Sequence, residues 1–251
     1  MTLHALLTAA MGRSVLAEKQ WSDAVTVSVV TAGCGICVQG ELMAGALYDF
    51  IPALAAQHYL HPDAVAPLQA LCQASPVSIR ITDGLNGDVV MQGFPDEKVF
   101  FAQSLKAALL AALADLIPEL EEKEQTLALH TGERWNGFPL FERVTSNYIV
   151  TAEPWDALPA DFSASEAQIN AWSRAIFEDG SDVLQVGLVV WQDFGQQRLA
   201  DRAVPDICII PPGAPARRWL VRDTLKTLAA EVRRQIYLQR NLTASFSRVR
   251  G

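Results

Sequence analysis

Cysteine and histidine are scarce in this sequence, with four of each in 251 residues. Four cysteines are too few to hold a chain of this length as a disulfide scaffold. Four histidines leave little material for histidine-based acid–base chemistry, although carboxylates could stand in. Positive charge is short as well: 20 Lys and Arg against 28 Asp and Glu give a formal charge of −8 and a pI near 5.0. That balance argues against a general nucleic-acid binder. Charged residues are only 19% of the chain and hydrophobic ones 50%, so a packed core is expected and long disorder is not. Apolar runs of about 18 residues are missing, because charges or prolines break each candidate, and no membrane span is expected. The N-terminal apolar stretch fails as a secretory signal, since Arg13 follows it instead of preceding it. A cytoplasmic, soluble protein is the expectation. Three catalytic signatures are also missing: the G-x-S-x-G elbow, the H-E-x-x-H zinc motif and a Gly-rich phosphate loop.

What is present is a plan stated twice. Val27-Ser28-Val29 leads through Thr31 and Gly33 to Ile36-Cys37-Val38-Gln39-Gly40. Val77-Ser78-Ile79 leads through Thr82 and Gly84 to Val89-Val90-Met91-Gln92-Gly93. A β-branched run, a Gly/Asn/Asp cluster and a second apolar run predict a β-hairpin. An apolar segment long enough for a helix follows each. The turns are placed within 32–36 and 83–88.

The remaining elements follow from periodicity and punctuation. Residues 2–20 predict a helix with Leu3, Leu6, Leu7 and Ala10 on one face. Leu47, Ile51 and Leu54 predict another from about residue 43, with Pro52 inside it as a kink or a start. A short helical piece is expected over 65–72. Pro95-Asp96-Glu97 opens a strong helix whose stripe runs from Phe101 to Leu116. Pro118 and the charged run 119–124 are expected to close it. Strands are predicted around 126–130, 148–150, 183–191 and 207–210. Ser163-Ala164-Ser165-Glu166 predicts a capped helix ending near Gly180. A last helix is expected over 217–241, with Val221, Leu225, Leu228, Val232 and Ile236 as its stripe, and looser structure after it.

The pattern predicts an α+β fold of mainly antiparallel sheets, built from two tandem hairpin-plus-helix (ββα) units. A further α/β C-terminal half ends in a long helix. A boundary, if there is one, falls in 119–124 and divides 1–124 from 125–251. One continuous domain is the alternative at this length.

Candidate chemistry gathers on Cys34 and Cys37, a C-x-x-C pair. A redox pair needs a helix start behind it to stabilise the thiolate; here the return strand Val38-Gln39-Gly40 follows. The same pair with His58 and His61 would give four zinc ligands, although the histidine spacing is shorter than the usual three to five residues. Asp83, Asn86 and Asp88 offer oxygens in the second turn, but tight turns require such residues anyway. Cys72 and Cys208 sit in apolar runs and are read as small core residues.

Charge is distributed unevenly. From Arg217 onward nine Lys/Arg face two acidic residues, so the tail carries +7 and residues 1–216 carry −15. The helix is expected to bury its stripe and set its arginines against body carboxylates, ahead of acting as a nucleic-acid arm. The leading functional expectation is a non-enzymatic, acidic, protein-binding module, such as an adaptor, an escort chaperone or an immunity-type inhibitor. Its partner would be a protein with a basic surface; no cofactor is expected, and homo-oligomerisation stays open. The alternatives are a thiol- or zinc-dependent enzyme using Cys34 and Cys37, and a structural subunit of a larger assembly docked through the basic tail.

Overall fold

A computed structural model describes residues 2–29, 35–82, 88–133, 135–155, 158, 161–192, 197–204, 206–220 and 222–249. The fold is α+β with antiparallel sheets, and the chain divides into two compact units. One is Ala5–Leu127; the other joins Met1–His4 to Ala128–Gly251.

The first unit opens with α1 (Leu3–Glu18). Leu7, Met11 and Val15 are buried at intervals of four, with Thr8, Gly12 and Leu16 beside them. Leu6 and Ala10 are only half-buried, so the buried face is rotated from the expected one. A side chain on Gly12 would collide with Val27, which is why α1 can lie close on the first strand. The helix ends in a Schellman motif: Gln20 takes φ 57°, and Trp21 N–H donates to Leu16 O at 2.8 Å.

Both predicted hairpins form. β1 (Val25–Val29) pairs with β2 (Ile36–Met43), and β3 (Ser78–Thr82) pairs with β4 (Asp88–Gln92). β2 also pairs antiparallel with β3, giving one sheet in the order β1-β2-β3-β4. Strand alternation buries Val25, Val27, Ile36, Val38, Leu42, Ile79, Ile81 and Val89 on one face. Thr26, Gln39, Glu41, Arg80, Thr82 and Gln92 are solvent-exposed on the other. The turn residues 30–34 and 83–87 lie outside the described residues.

α2 (Ala44–Ala56) carries Pro52 inside it and buries Leu47, Phe50, Ile51 and Leu54. Its end is a second Schellman motif, with His58 at φ 64° and Tyr59 N–H donating to Leu54 O at 3.0 Å. α3 (Val65–Ala74) packs against α2, and Gln69 Nε2 donates to Tyr48 O at 3.1 Å.

α4 (Val99–His130) corrects the sequence at two places. The helix continues through Pro118 instead of stopping there, and 126–130 is helical instead of a strand. Leu116, Leu120 and Leu127 are buried, so the spacing of four and seven carries the apolar stripe past the proline. The charged run 119–124 is therefore helix surface in part: Lys19 Nζ meets Glu119 Oε2 at 2.8 Å. By length and composition the segment Asp96–His130 could cross a membrane, with mean hydropathy 1.6 over its best window; unbroken runs alone missed this. Leu105, Leu109, Leu113, Leu116, Leu120 and Leu127 form a buried stripe, a property that core helices share, while Leu110 and Leu129 are exposed.

The second unit holds a sheet in the order β5-β6-β8-β9 and a small one of β7 and β10. Its strands are β5 (Phe141–Val144), β6 (Ile149–Pro154), β7 (Asp182–Leu184), β8 (Val186–Gln192), β9 (Gln197–Ala203) and β10 (Cys208–Ile210). The sequence ran β7 and β8 together; they are separated at Gln185, whose carbonyl accepts from Trp155 N–H at 2.7 Å. β5 and β9 were not foreseen. α5 (Glu166–Phe177) starts at a capping box between Ser165 and Gln168. α6 (Arg222–Val249) begins after a 3-10 turn at Ala216–Arg218 and stays helical past residue 241, where looser structure was expected. Val221 lies outside the described residues. Leu228 and Val232 are buried in a cluster with Leu188, Val190, Ala200 and Val204.

Candidate functional site

One concavity of the second unit follows from where α6 sits. This helix packs on β9 and β8, which leaves the β5–β6 side of the same sheet face partly uncovered. Register fixes what that face presents: Arg143 stands opposite Val150, Val150 opposite Val190, and Phe141 opposite Ala152. Between this face and the helix is a cavity of about 340 Å³. Phe141, Tyr148, Val150 and Val190 line its sheet side, and Leu225, Leu228, Val232 and Ile236 its helix side. Thr145 closes the hairpin beside it, its Oγ1 donating to Tyr148 O at 2.8 Å.

Two cations border this apolar slot, Arg143 from β5 and Arg233 from α6, both exposed. Several other basic residues of the unit are paired. Arg202 meets Glu231 at 4.0 Å, Arg198 meets Asp201 at 2.9 Å, and Lys226 meets Asp223 at 2.9 Å. Among the described residues, neither Arg143 nor Arg233 has a carboxylate within ion-pair distance.

The residues singled out in the sequence are placed elsewhere. Cys34 lies outside the described residues. Cys37 is a free, half-buried thiol on β2, opposite Ser28. His58 is exposed and terminates α2 in the left-handed conformation. His61 precedes the 3-10 turn Pro62–Ala64, and its Nδ1 accepts from Asp63 N–H at 3.3 Å. Among the described residues no three His, Cys, Asp or Glu side chains gather as a metal site. Asp83 and Asn86 lie outside the described residues, as does the side chain of Asp88. His130, at the end of α4, meets Asp182 Oδ1 through Nδ1 at 2.8 Å. His4 Nδ1 and Thr131 Oγ1 are 3.2 Å apart. Both contacts lie within the second unit.

Burial sets the thiols. It raises the pKa of Cys72, and it raises that of Cys208 to about 11, with the Asp206 carboxylate adding to the effect. Such thiols stay protonated and unreactive at neutral pH. In the first unit, the hydrogen bond and charge of Glu119 raise the Lys19 pKa, and the hydrogen bond to Asp115 raises that of Tyr59. Tyr59 Oη donates to Asp115 Oδ2 at 2.8 Å.

Sequence reasoning passed over Phe141, Arg143 and Tyr148. Their signal was alternation: Phe141 and Arg143 are two apart, so on a strand they share a face. Without β5 as a strand, that pairing had no meaning. The chain matches no protein-family model, no curated protein and no solved structure.

Proposed function

We propose that this chain is a non-enzymatic protein-binding module whose acidic first unit engages a partner with a basic surface. One observation carries the proposal: the net charge is segregated. Residues 5–127 hold six Lys/Arg against fourteen Asp/Glu, a net −8, whereas residues 1–4 and 128–251 hold fourteen of each. The whole excess therefore belongs to one compact unit, where it gives a field of one sign able to steer and orient a basic partner. Exposed Glu41, Asp49, Asp63, Asp96, Glu97 and Glu122 supply much of it. The solvated face of the β1–β4 sheet adds polar side chains with Met43 and Val90 among them, 60% and 45% exposed. A polar surface with a few apolar anchors is the usual make-up of a non-obligate interface. An adaptor, an escort chaperone and an immunity-type inhibitor all work through such a surface.

The test is capture of partners from the native host by the full chain, followed by mass spectrometry and a salt titration. A partner with a basic surface is expected, with capture weakening as ionic strength rises. Reversing Glu41, Asp96, Glu97 and Glu122 to lysine should abolish that capture while the chain still folds and melts cooperatively. A partner held equally by the reversed chain, or equally at high salt, defeats the proposal.

A further inference from the structure

We propose that the slot between α6 and the β5–β6 hairpin binds a single-chain anionic amphiphile, a medium-chain fatty carboxylate. This goes beyond the protein-binding function and rests on other residues. The cavity of about 340 Å³ falls inside the range of roughly 300–1,000 Å³ typical of small-molecule sites. Its body is apolar on both walls: Phe141, Val150 and Val190 on the sheet, Leu228, Val232 and Ile236 on the helix. Leu228 and Val232 are 1% and 7% exposed, so the slot reaches down to the core of the unit instead of lying on its surface.

The charged residues at its border are cationic. Arg143 and Arg233 border the slot from opposite sides, and neither is ion-paired among the described residues. Two guanidiniums with no carboxylate within ion-pair distance among the described residues leave a local positive site in a chain of net −8. Arginine stems lie well along apolar walls while their heads stay in water, and the guanidinium fork matches a carboxylate in a bidentate pair. An apolar slot bordered by two such guanidiniums is complementary to an alkyl chain with one carboxylate. A peptide helix fits less well: a stable protein interface buries upward of about 1,000 Å², and this helix wall spans only Leu225 to Ile236.

The experiment uses the purified full chain, titrated calorimetrically with dodecanoate and with 1-dodecanol below their aggregation limits. Saturable binding of dodecanoate at one site is expected. Arg143→Gln with Arg233→Gln should weaken dodecanoate roughly 10- to 100-fold, as expected for lost charge-assisted hydrogen bonds, and leave 1-dodecanol unchanged. Ala229 is exposed at the rim of the slot, so Ala229→Trp should fold normally, as checked by its melting curve, and lose both ligands. Absence of saturable dodecanoate binding overturns the proposal. So does dodecanoate binding that survives the double arginine change or Ala229→Trp. An acidic amphipathic peptide that occupies the slot and is not displaced by dodecanoate overturns it as well.

Discussion

The indole of Trp155 occupies the space that a side chain on Gly187 would need; the ring atoms Nε1, Cε2 and Cδ1 are the nearest neighbours of that vacant position. Gly187 is the second residue of β8, in the stretch of that strand that is buried on both faces. Trp155 is held there by its backbone N–H, which donates to the carbonyl of Gln185 between β7 and β8. Glycine is normally a weak strand residue, and here close packing is the reason for it.

Gly187→Ala should therefore destabilise the protein by about 1–3 kcal/mol, the usual cost of overpacking. Trp155→Ala should also destabilise. In the double variant the methyl enters vacated space, so the combined loss should fall short of the sum. Urea denaturation of the four proteins measures this. Strict additivity would show that the ring and the glycine are not coupled.

Two helices end on a residue other than glycine in the left-handed conformation, Gln20 after α1 and His58 after α2. A side chain there costs roughly 1–2 kcal/mol, against roughly 0.5–1 kcal/mol lost through the greater freedom of unfolded glycine. Gln20→Gly and His58→Gly should each stabilise by about 0.5–1 kcal/mol, and additively. Thermal melts check it. If His58→Gly instead destabilises, His58 has a partner that its place at the helix end does not explain.

The hairpins, α2, α3 and α5 were legible because local signals agreed with the fold: β-branched runs at 27–29 and 77–81, and a capping signal read at Ser163–Glu166 that the structure places two residues later, on Ser165 and Gln168. The ends of α4 were not legible. Pro118 and the acidic run 119–124 are local stop signals, yet Leu116, Leu120 and Leu127 keep a buried stripe going, and burial outweighs propensity. β5 and β9 were missed for a related reason. Phe141–Val144 and Gln197–Ala203 carry charged residues, and pairing with apolar neighbours makes them strands, which no property of the segments alone reveals. The cavity beside β5 was lost with it.

Thiol chemistry separates the cysteines. In a Cys34→Ser background, a disulfide reagent should label Cys37 in the native protein, and Cys72 and Cys208 only after unfolding, because the latter two are buried. Cys208 also imposes a pH dependence. Its folded pKa of about 11 lies above the ordinary 9.0, so its contribution is fully present below pH 9. Above that the unfolded chain loses the proton first, and stability falls up to about pH 11. Cys208→Ala should flatten this part of the stability–pH curve. An unchanged slope would show that Cys208 is as accessible as Cys37.

The last helix offers the sharpest contrast between packing and charge. Leu228 is 1% exposed and Val232 7%; full burial of such side chains contributes about 1.5–3 kcal/mol each. The ion pair that links α6 to the sheet, Arg202 with Glu231 at 4.0 Å, contributes at most about 1 kcal/mol because both groups are half-exposed. Packing therefore decides where α6 lies. Leu228→Ala should lose about 2–5 kcal/mol, and Leu228→Asp should lower the melting temperature further, since it adds an unpaired buried carboxylate. Arg202→Gln should cost little. Among the described residues, those of α6 in the core cluster run to Val232, with Ile236 half-covered, and truncation after Asn241 should leave the melting temperature nearly unchanged although α6 continues to Val249. A truncated chain that melts early would show that the final helical turns are also packed. A Leu228→Asp chain that keeps its stability but loses a binding partner would make the helix a docking element instead of a part of the core.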